Sequence, residues 1–315
     1  MARIDTLLNP YFWVVGLRNL LYEKRLFSVC KLPATVISVG NLSVGGSGKS
    51  SLVRFIAKNL ADRFHVCILS RGYKRRTRGT FVVSYRGNVM CGWEEAGDEP
   101  YMLAKMLRNV SIVVDEKRCR AGMYAVKELK ADVLLLDDGF QHRRIYRDLD
   151  LLLLKEKDIR EFLMPFGRLR EPLSSIKRAH ALVLSYQDIK EWSLSFEGKP
   201  TFKLYREDWT VFNVEGKPVH DLSNAEFVAF AGLGDNEQFF KALEKLGLKI
   251  VKKLSFRDHH SYSGFVLSKD MLYITTLKDM VKLAPHKNLY YLDYSVRVPG
   301  LMELVMDVVN GSSII

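Results

Sequence analysis

Residues Val36-Ile-Ser-Val-Gly-Asn-Leu-Ser-Val-Gly-Gly-Ser-Gly-Lys-Ser50 run directly into Ser51-Leu-Val-Arg-Phe-Ile-Ala57, and this stretch decides the fold. An apolar run, a Gly-rich turn and an apolar segment at helical spacing read as strand, loop and helix N-terminus, the P-loop arrangement. Val44, Gly45, Gly46, Ser47 and Gly48 form a turn whose backbone N–H groups can converge on a phosphate. Lys49 stands where its ammonium reaches the β- and γ-phosphates of a nucleotide, the Ser50 hydroxyl can ligate Mg²⁺, and Ser51 follows at the helix start. The strict pattern has Gly where this chain has Ser43.

Outward from the P-loop, short apolar runs recur between helical segments: 66–69, 81–85, 111–114, 133–136, 149–154 and 181–184. Several are continuous rather than alternating, as strands covered on both faces must be, so the expected fold is α/β with a parallel sheet sandwiched by helices. In Asp132-Val-Leu-Leu-Leu-Asp-Asp138 a buried strand ends in two acids. Next to a P-loop strand, Asp137 and Asp138 would face the same Mg²⁺, the Walker B relation.

Residues 200–214 change character, with two β-prone runs around a charged Arg206-Glu-Asp208, and read as a two-stranded hairpin linker. Beyond it, 227–231, 250–254, 272–275 and 289–292 suggest a smaller α/β domain, closed by a helix over 301–309 that stops at Asn310-Gly311. The expected organisation is an N-terminal helical segment (1–28), a P-loop domain (29–199), the linker (200–214) and a C-terminal domain (215–315).

The 315 residues carry 48 Lys+Arg against 36 Asp+Glu, a formal charge of +12, and 48% are hydrophobic, which excludes disorder and points to an anionic partner. Cys30, Cys67, Cys91 and Cys119 show no CxxC pair and no scaffold spacing, so free thiols in a reducing compartment are expected. Near the N-terminus, Leu7, Leu8 and 11–17 form an apolar run too short to span a bilayer and without signal-peptide flanks. Asn9-Pro10 should open a helix reaching about Phe27, with Trp13, Leu17, Leu20 and Leu21 on one face and Arg18 and Arg25 on another. Such a basic amphipathic helix suits either a membrane surface or its own domain.

A P-loop alone does not separate GTPase, motor and small-molecule kinase. The guanine-reading Asn/Thr-Lys-x-Asp element has no match, since Thr276-Leu-Lys-Asp279 displaces the Lys by one, and no motor motif or nucleic-acid track is visible. A nucleic-acid-binding ATPase remains the rival on charge grounds.

Seven blocks follow one another in order: the P-loop, Leu69-Ser-Arg-Gly-Tyr73, Gly97-Asp-Glu-Pro100, Leu136-Asp-Asp-Gly-Phe-Gln-His-Arg143, Gly167-Arg-Leu-Arg-Glu-Pro172, Asp258-His-His260 and Thr275-Thr-Leu-Lys-Asp279. Together they resemble the tetraacyldisaccharide 4'-kinase family of lipid A (lipopolysaccharide) biosynthesis, from the N-terminal helix to about residue 280. The sequence departs from the family at Ser50-Ser51, where Thr is usual, and after Asn236, where Pro is usual.

The resemblance implies transfer of the ATP γ-phosphoryl group to the 4'-hydroxyl of an acylated disaccharide 1-phosphate, giving lipid IVA, at the cytoplasmic face of the bacterial inner membrane. It implies no nucleic acid and no protein partner. It also implies that Asp98 is the general base, oriented by His260, with Arg118 and Arg170 stabilising the transferring phosphate. Glu171 becomes an ATP-site carboxylate, and Arg71, Gln141 and His142 become acceptor contacts. Read without the resemblance, Asp98 is a turn cap and His260 a surface residue.

Overall fold

The computed structural model of the chain describes residues 9–311, and Leu7 and Leu8 lie outside them. Helix α1 (Pro10–Glu23) is capped by Asn9, whose side chain accepts from the Tyr11 amide, and Pro10 occupies a position whose N–H would go unpaired in any case. The helix stops four residues short of Phe27: Lys24 caps it and Arg25 takes a left-handed φ of 56°.

The first sheet is built from β1 (Thr35–Asn41), β2 (Val66–Ser70), β3 (Phe81–Tyr85), β4 (Asn88–Val89), β5 (Ser111–Val114), β6 (Val133–Asp137), β7 (Leu149–Leu154), β8 (Ala181–Leu184) and β9 (Thr201–Lys203). Their order is β4-β3-β5-β2-β6-β1-β7-β8-β9, parallel except where β3 and β4 run back along the β5 edge. Helices α2 (Lys49–Leu60), α3 (Trp93–Ala96), α4 (Asp98–Met106) and α5 (Arg118–Lys127) lie in the crossovers. Leu52, Val53, Ile56 and Leu60 of α2 pack with Leu103 of α4 on one face of the sheet, while Ala121 and Ala125 of α5 pack on the other. Covered on both faces, β7 buries every residue, which is why its sequence reads as continuous leucines around Asp150.

The second sheet, ordered β11-β10-β15-β14-β12-β13, holds β10 (Tyr205–Asn213), β11 (Pro218–Val219), β12 (Glu226–Ala231), β13 (Lys249–Ser255), β14 (Leu272–Thr276) and β15 (Leu289–Arg297). Helices α6 (Asn236–Lys245), α7 (Leu277–Met280) and α8 (Leu301–Val309) complete the fold.

Three expectations need correction. First, the runs on either side of Arg206-Glu-Asp208 do not pair with each other as a hairpin: the first run divides at Leu204, β9 ends the first sheet, and β10 continues through the charged residues and pairs with β15 and β11 in the second. The charged Arg206-Glu-Asp208 is strand rather than turn, because Arg206 bonds Asp188, Glu207 bonds Arg297 and Asp208 accepts from Ser295. Second, the C-terminal helix does not close the small unit. Leu301, Val305 and Val308 of α8 return to the core of the first sheet, since their apolar stripe meets that core beside α2. Third, Cys30 and Cys119 form a disulfide that ties the segment after α1 to the start of α5, while Cys67 and Cys91 are free. A separation of 89 positions between the two partners left no spacing signature in the sequence.

Candidate active site

The register of β1 with its neighbours sets Val39 beside Asp137 of β6 and Gly40 beside Leu152 of β7, so the P-loop and the acidic pair leave the sheet at the same edge. Gly40 is required there, because a Cβ would lie 2.6 Å from the Phe140 amide nitrogen. Only glycine lets the Asp137-Asp-Gly-Phe140 turn come this close to the P-loop strand.

Gly45 and Gly48 hold left-handed φ values of 90° and 85°, and Gly48 caps α2. From the first turn of α2, Lys49 donates to Asn41 Oδ1 at 3.1 Å and lies 3.6 Å from Asp138 Oδ1. Ser50 lines the cavity above the loop, as does Ser51, whose hydroxyl is also shared with the Tyr294 hydroxyl at 3.0 Å. The volume of this cavity is about 890 Å³, and Val44, Gly46, Ser47, Asp98, Asp137, Asp138, Arg71, Arg118, Arg170, Gln141 and His142 all line it.

The two acids differ. Arg170 grips Asp138 with two parallel hydrogen bonds of 2.9 and 2.8 Å and also reaches Asn41. Burial pulls the Asp138 carboxyl up, but Lys49 and Arg170 outweigh it and hold the group below the usual carboxylate range. The same pair raises Arg170 against the opposing pull of its own burial. Asp137 is buried and accepts only a 3.3 Å bond from Ser70 through Oδ2, and its Oδ1 has no hydrogen-bond partner. Burial, then Glu99 and Asp138, push its carboxyl up to about 7. A buried, half-bonded carboxylate at the mouth of a P-loop fits Mg²⁺, a hard cation that takes few protein oxygens and leaves the rest of its shell to water and phosphate. Among the described residues no group of three or more His, Cys, Asp or Glu is placed to hold a metal ion.

Arg118, at the start of α5, is buried and donates to the Asp137 carbonyl at 3.3 Å; burial lowers its pKa. Gln141 donates to the Asn41 carbonyl, and burial beside Arg118 and Arg147 pushes the His142 imidazole down to about 4, so it is neutral at pH 7.

Opposite the P-loop stands Asp98, at the first position of α4. Gly97 precedes it with φ 89°, where a Cβ would meet the Tyr73 carbonyl at 3.0 Å, so the glycine seats Asp98 against the Arg71–Tyr73 loop. Its Oδ1 accepts from the Glu99 amide and its Oδ2 from an imidazole at 2.7 Å. That imidazole belongs to His259, not His260. With φ 60°, the His259 backbone turns its ring toward Asp98. His260 instead stacks on Phe256 at 4.7 Å, and its carbonyl accepts from Lys282. Lys278 and Lys282 each lie 3.9 Å from Asp98 Oδ2. Burial opposes ionisation of Asp98, but His259 and Lys278 prevail and lower its pKa.

Glu171 does not face the cavity. It is fully buried and bonded to Arg18, Asn19, Ser175 and Arg178, because the chain turns inward immediately after Arg170.

Sequence reasoning missed His259, Lys278 and Lys282, although the first two sit inside quoted blocks. It also missed the approach of the β12–α6 loop, where a Cβ on Gly234 would lie 3.6 Å from the Gly45 Cα. Two adjacent histidines offered no sequence signal for which one faces the carboxylate.

A family described as "LpxK: Tetraacyldisaccharide-1-P 4'-kinase" matches residues 5–310. The chain is similar to a tetraacyldisaccharide 4'-kinase of Aquifex aeolicus, 50% identical over 302 residues that cover 95% of each chain. It is also similar to one of Halothermothrix orenii, 34% identical with 93% of this chain and 88% of that one covered. Among solved structures, the "apo" form of LpxK from Aquifex aeolicus in complex with ATP superposes with a TM-score of 0.88 at 48% identity, covering 95% of this chain and 96% of that one.

Proposed function

The chain belongs to the tetraacyldisaccharide 4'-kinase family, and from that membership we propose how its own residues carry out the reaction. It is an ATP-dependent phosphotransferase whose acceptor is the 4'-hydroxyl of tetraacyldisaccharide 1-phosphate, a step of lipid A biosynthesis. The nucleic-acid-binding ATPase suggested by the net charge is set aside.

The observation that carries the mechanistic reading is the Asp98–His259 pair facing Lys49 across one cavity. The P-loop amides and Lys49 hold the ATP phosphates, and Lys49, Arg118 and Arg170 neutralise charge on the transferring group. Asp98 takes the proton of the 4'-hydroxyl as the oxygen attacks the γ-phosphorus, and ADP leaves with the bridging oxygen. His259 fixes the direction of the carboxylate through Nδ1, and Lys278 keeps that carboxylate ionised. Ser50 and Asp137 are the residues that would hold Mg²⁺, with Asp138 committed to Arg170 and Lys49. Bound there, the cation would supply Lewis-acid neutralisation of the phosphate charge. Arg71, Gln141 and the neutral His142, which line the same cavity, would contact the acceptor sugar. The test is incubation with γ-labelled ATP and the acylated disaccharide 1-phosphate in detergent. A doubly phosphorylated lipid is expected, and its absence overturns the assignment.

The surface of action in this reading is the cytoplasmic face of the inner membrane. No helix among the described residues is long and apolar enough to cross a membrane. Supporting a surface mode, α1 exposes Val14, Leu17 and Leu20 to solvent, followed by Leu26 and Phe27. Replacing Val14, Leu17 and Leu20 by Ser should cut partitioning onto vesicles containing anionic lipid. Unchanged partitioning would remove α1 as the anchor.

A further inference from the structure

We propose that the polar face of α1 is a clamp that positions Arg170 for catalysis. The proposal rests on the reading of Arg170 as a group facing the transferring phosphate.

Arg170 is pinned along its backbone from two directions. Its amide donates to the Leu42 carbonyl at 2.7 Å, joining it to the P-loop strand. Its own carbonyl accepts from the Tyr11 hydroxyl at 3.0 Å, joining it to α1. The next residue, Glu171, is a fully buried carboxylate with four side-chain donors. Ser175 and Arg178 come from the turn that follows; Arg18, at 2.9 Å, and Asn19, at 3.1 Å, come from α1. Half of the donors that make this burial tolerable therefore belong to the N-terminal helix, and a buried carboxylate that loses partners must move or protonate. Either change acts on the residue beside it, whose guanidinium must meet Asp138 with both nitrogens.

The same helix touches the acidic turn. Arg143, two residues beyond Gln141, donates to the Asn19 carbonyl at 3.0 Å and lies over the Tyr22 ring at 5.0 Å. α1 thus holds two of the chain segments that meet at Asp138, the turn that carries it and the loop that carries Arg170, while Lys49 reaches it from α2. Tyr11, Arg18 and Asn19 are positioning residues, with no contact of their own to the reacting groups.

The test uses the full chain in detergent micelles, where docking to a bilayer does not limit the rate. A Tyr11→Phe variant, a Tyr11→Phe/Asn19→Ala double variant and Arg170→Ala are compared for kcat and for the KM of ATP and of acceptor. The double variant should lose about ten-fold in kcat, with both KM values within about two-fold of the parent, and Tyr11→Phe should show a smaller loss of the same kind. Added to Arg170→Ala, the two substitutions should cost nothing further, because the residue they position is gone. A purely structural role would not give that non-additivity. Full kcat in the double variant beside a crippled Arg170→Ala overturns the clamp and leaves the role of Arg170 standing. A loss confined to the KM of acceptor overturns it in favour of substrate binding. An active Arg170→Ala overturns the reading of Arg170 and the clamp with it. Should the double variant fail to fold, Tyr11→Phe, which removes one hydroxyl, still decides the question by its kcat.

Discussion

In the first sheet β7 buries all six of its residues, whereas in the second β13 leaves Lys249, Val251, Lys252 and Lys253 exposed. The difference follows from position in the sheet: β7 is an interior strand with apolar cores on both faces, while β13 is the edge strand of a sheet whose inner strands β12 and β14 hold the buried cores. It also separates two kinds of contribution to the cavity. From the covered sheet come a phosphate cradle and acids fixed by register, all leaving adjacent strands at one edge. From the segments beside the second sheet come His259, in the loop after β13, and Lys278, in α7, which meet Asp98 directly. Rigid positioning of phosphates and an assembled base site are thus housed in different parts of the chain.

The sharpest way to break this division is to disable one half at a time. Lys49→Ala removes the ammonium that sits between Asn41 and Asp138, and should lower kcat by about 10³-fold or more while the acceptor still binds. Retention of most activity in the purified variant would mean that the cradle is not where the phosphates lie. Asp98→Ala should cost about 10²-fold in kcat, as loss of a general base does. A change confined to KM would reassign Asp98 to substrate placement. The adjacent histidines then test the contribution of the second sheet: His259→Ala should fall about ten-fold in kcat, and His260→Ala should stay within about two-fold. The reverse ranking would place the other ring on Asp98 in the working enzyme.

The first half was open to sequence reading because its signals are contiguous. Strand, glycine turn, Lys49 and Ser50 lie within fifteen residues, and the continuous apolar runs report a sheet buried on both faces. Asp137 and Asp138 needed only the assumption that their strand neighbours β1, and the register bears this out. The second half depends on contacts that no local pattern encodes. Asp98 and His259 are 161 positions apart, and the choice between two histidines turns on one left-handed φ. The family resemblance places Glu171 in the ATP site, but its side chain points the opposite way from its neighbour Arg170 and is buried against Arg18, Asn19, Ser175 and Arg178. The misread hairpin failed for a similar reason: the charges of Arg206-Glu-Asp208 find partners at Asp188, Arg297 and Ser295, all outside the local sequence. The Cys30–Cys119 bridge likewise joins residues brought together only by the fold.

The smallest expected effect concerns stability rather than rate, and it contrasts the buried acids that anchor loops in each unit. In the second unit Asp279 holds the Gly232 amide, the Thr276 hydroxyl and Lys282. In the first, Asp115 holds Arg120 with two bonds of 2.8 and 2.7 Å, Thr80 at 2.5 Å and the Lys117 amide at 2.7 Å. Burial alone would raise the Asp115 carboxyl, but these partners outweigh it and bring its pKa down to about 2. A carboxyl held below its unfolded value of about 4 stabilises the fold fully above that pH and loses the contribution as the pH falls through the folded value. Because Arg120 is half exposed, solvent screening keeps the contribution well below what the full shift would imply. Asp115→Asn should therefore melt below the parent at pH 7, with the gap closing between about pH 4 and pH 2, and kcat should change far less than with any substitution at Lys49, Asp98 or His259. A gap that persists undiminished at pH 2 would show that Asp115 acts through shape and neutral hydrogen bonds, and that its charge does not hold the loop between β5 and α5.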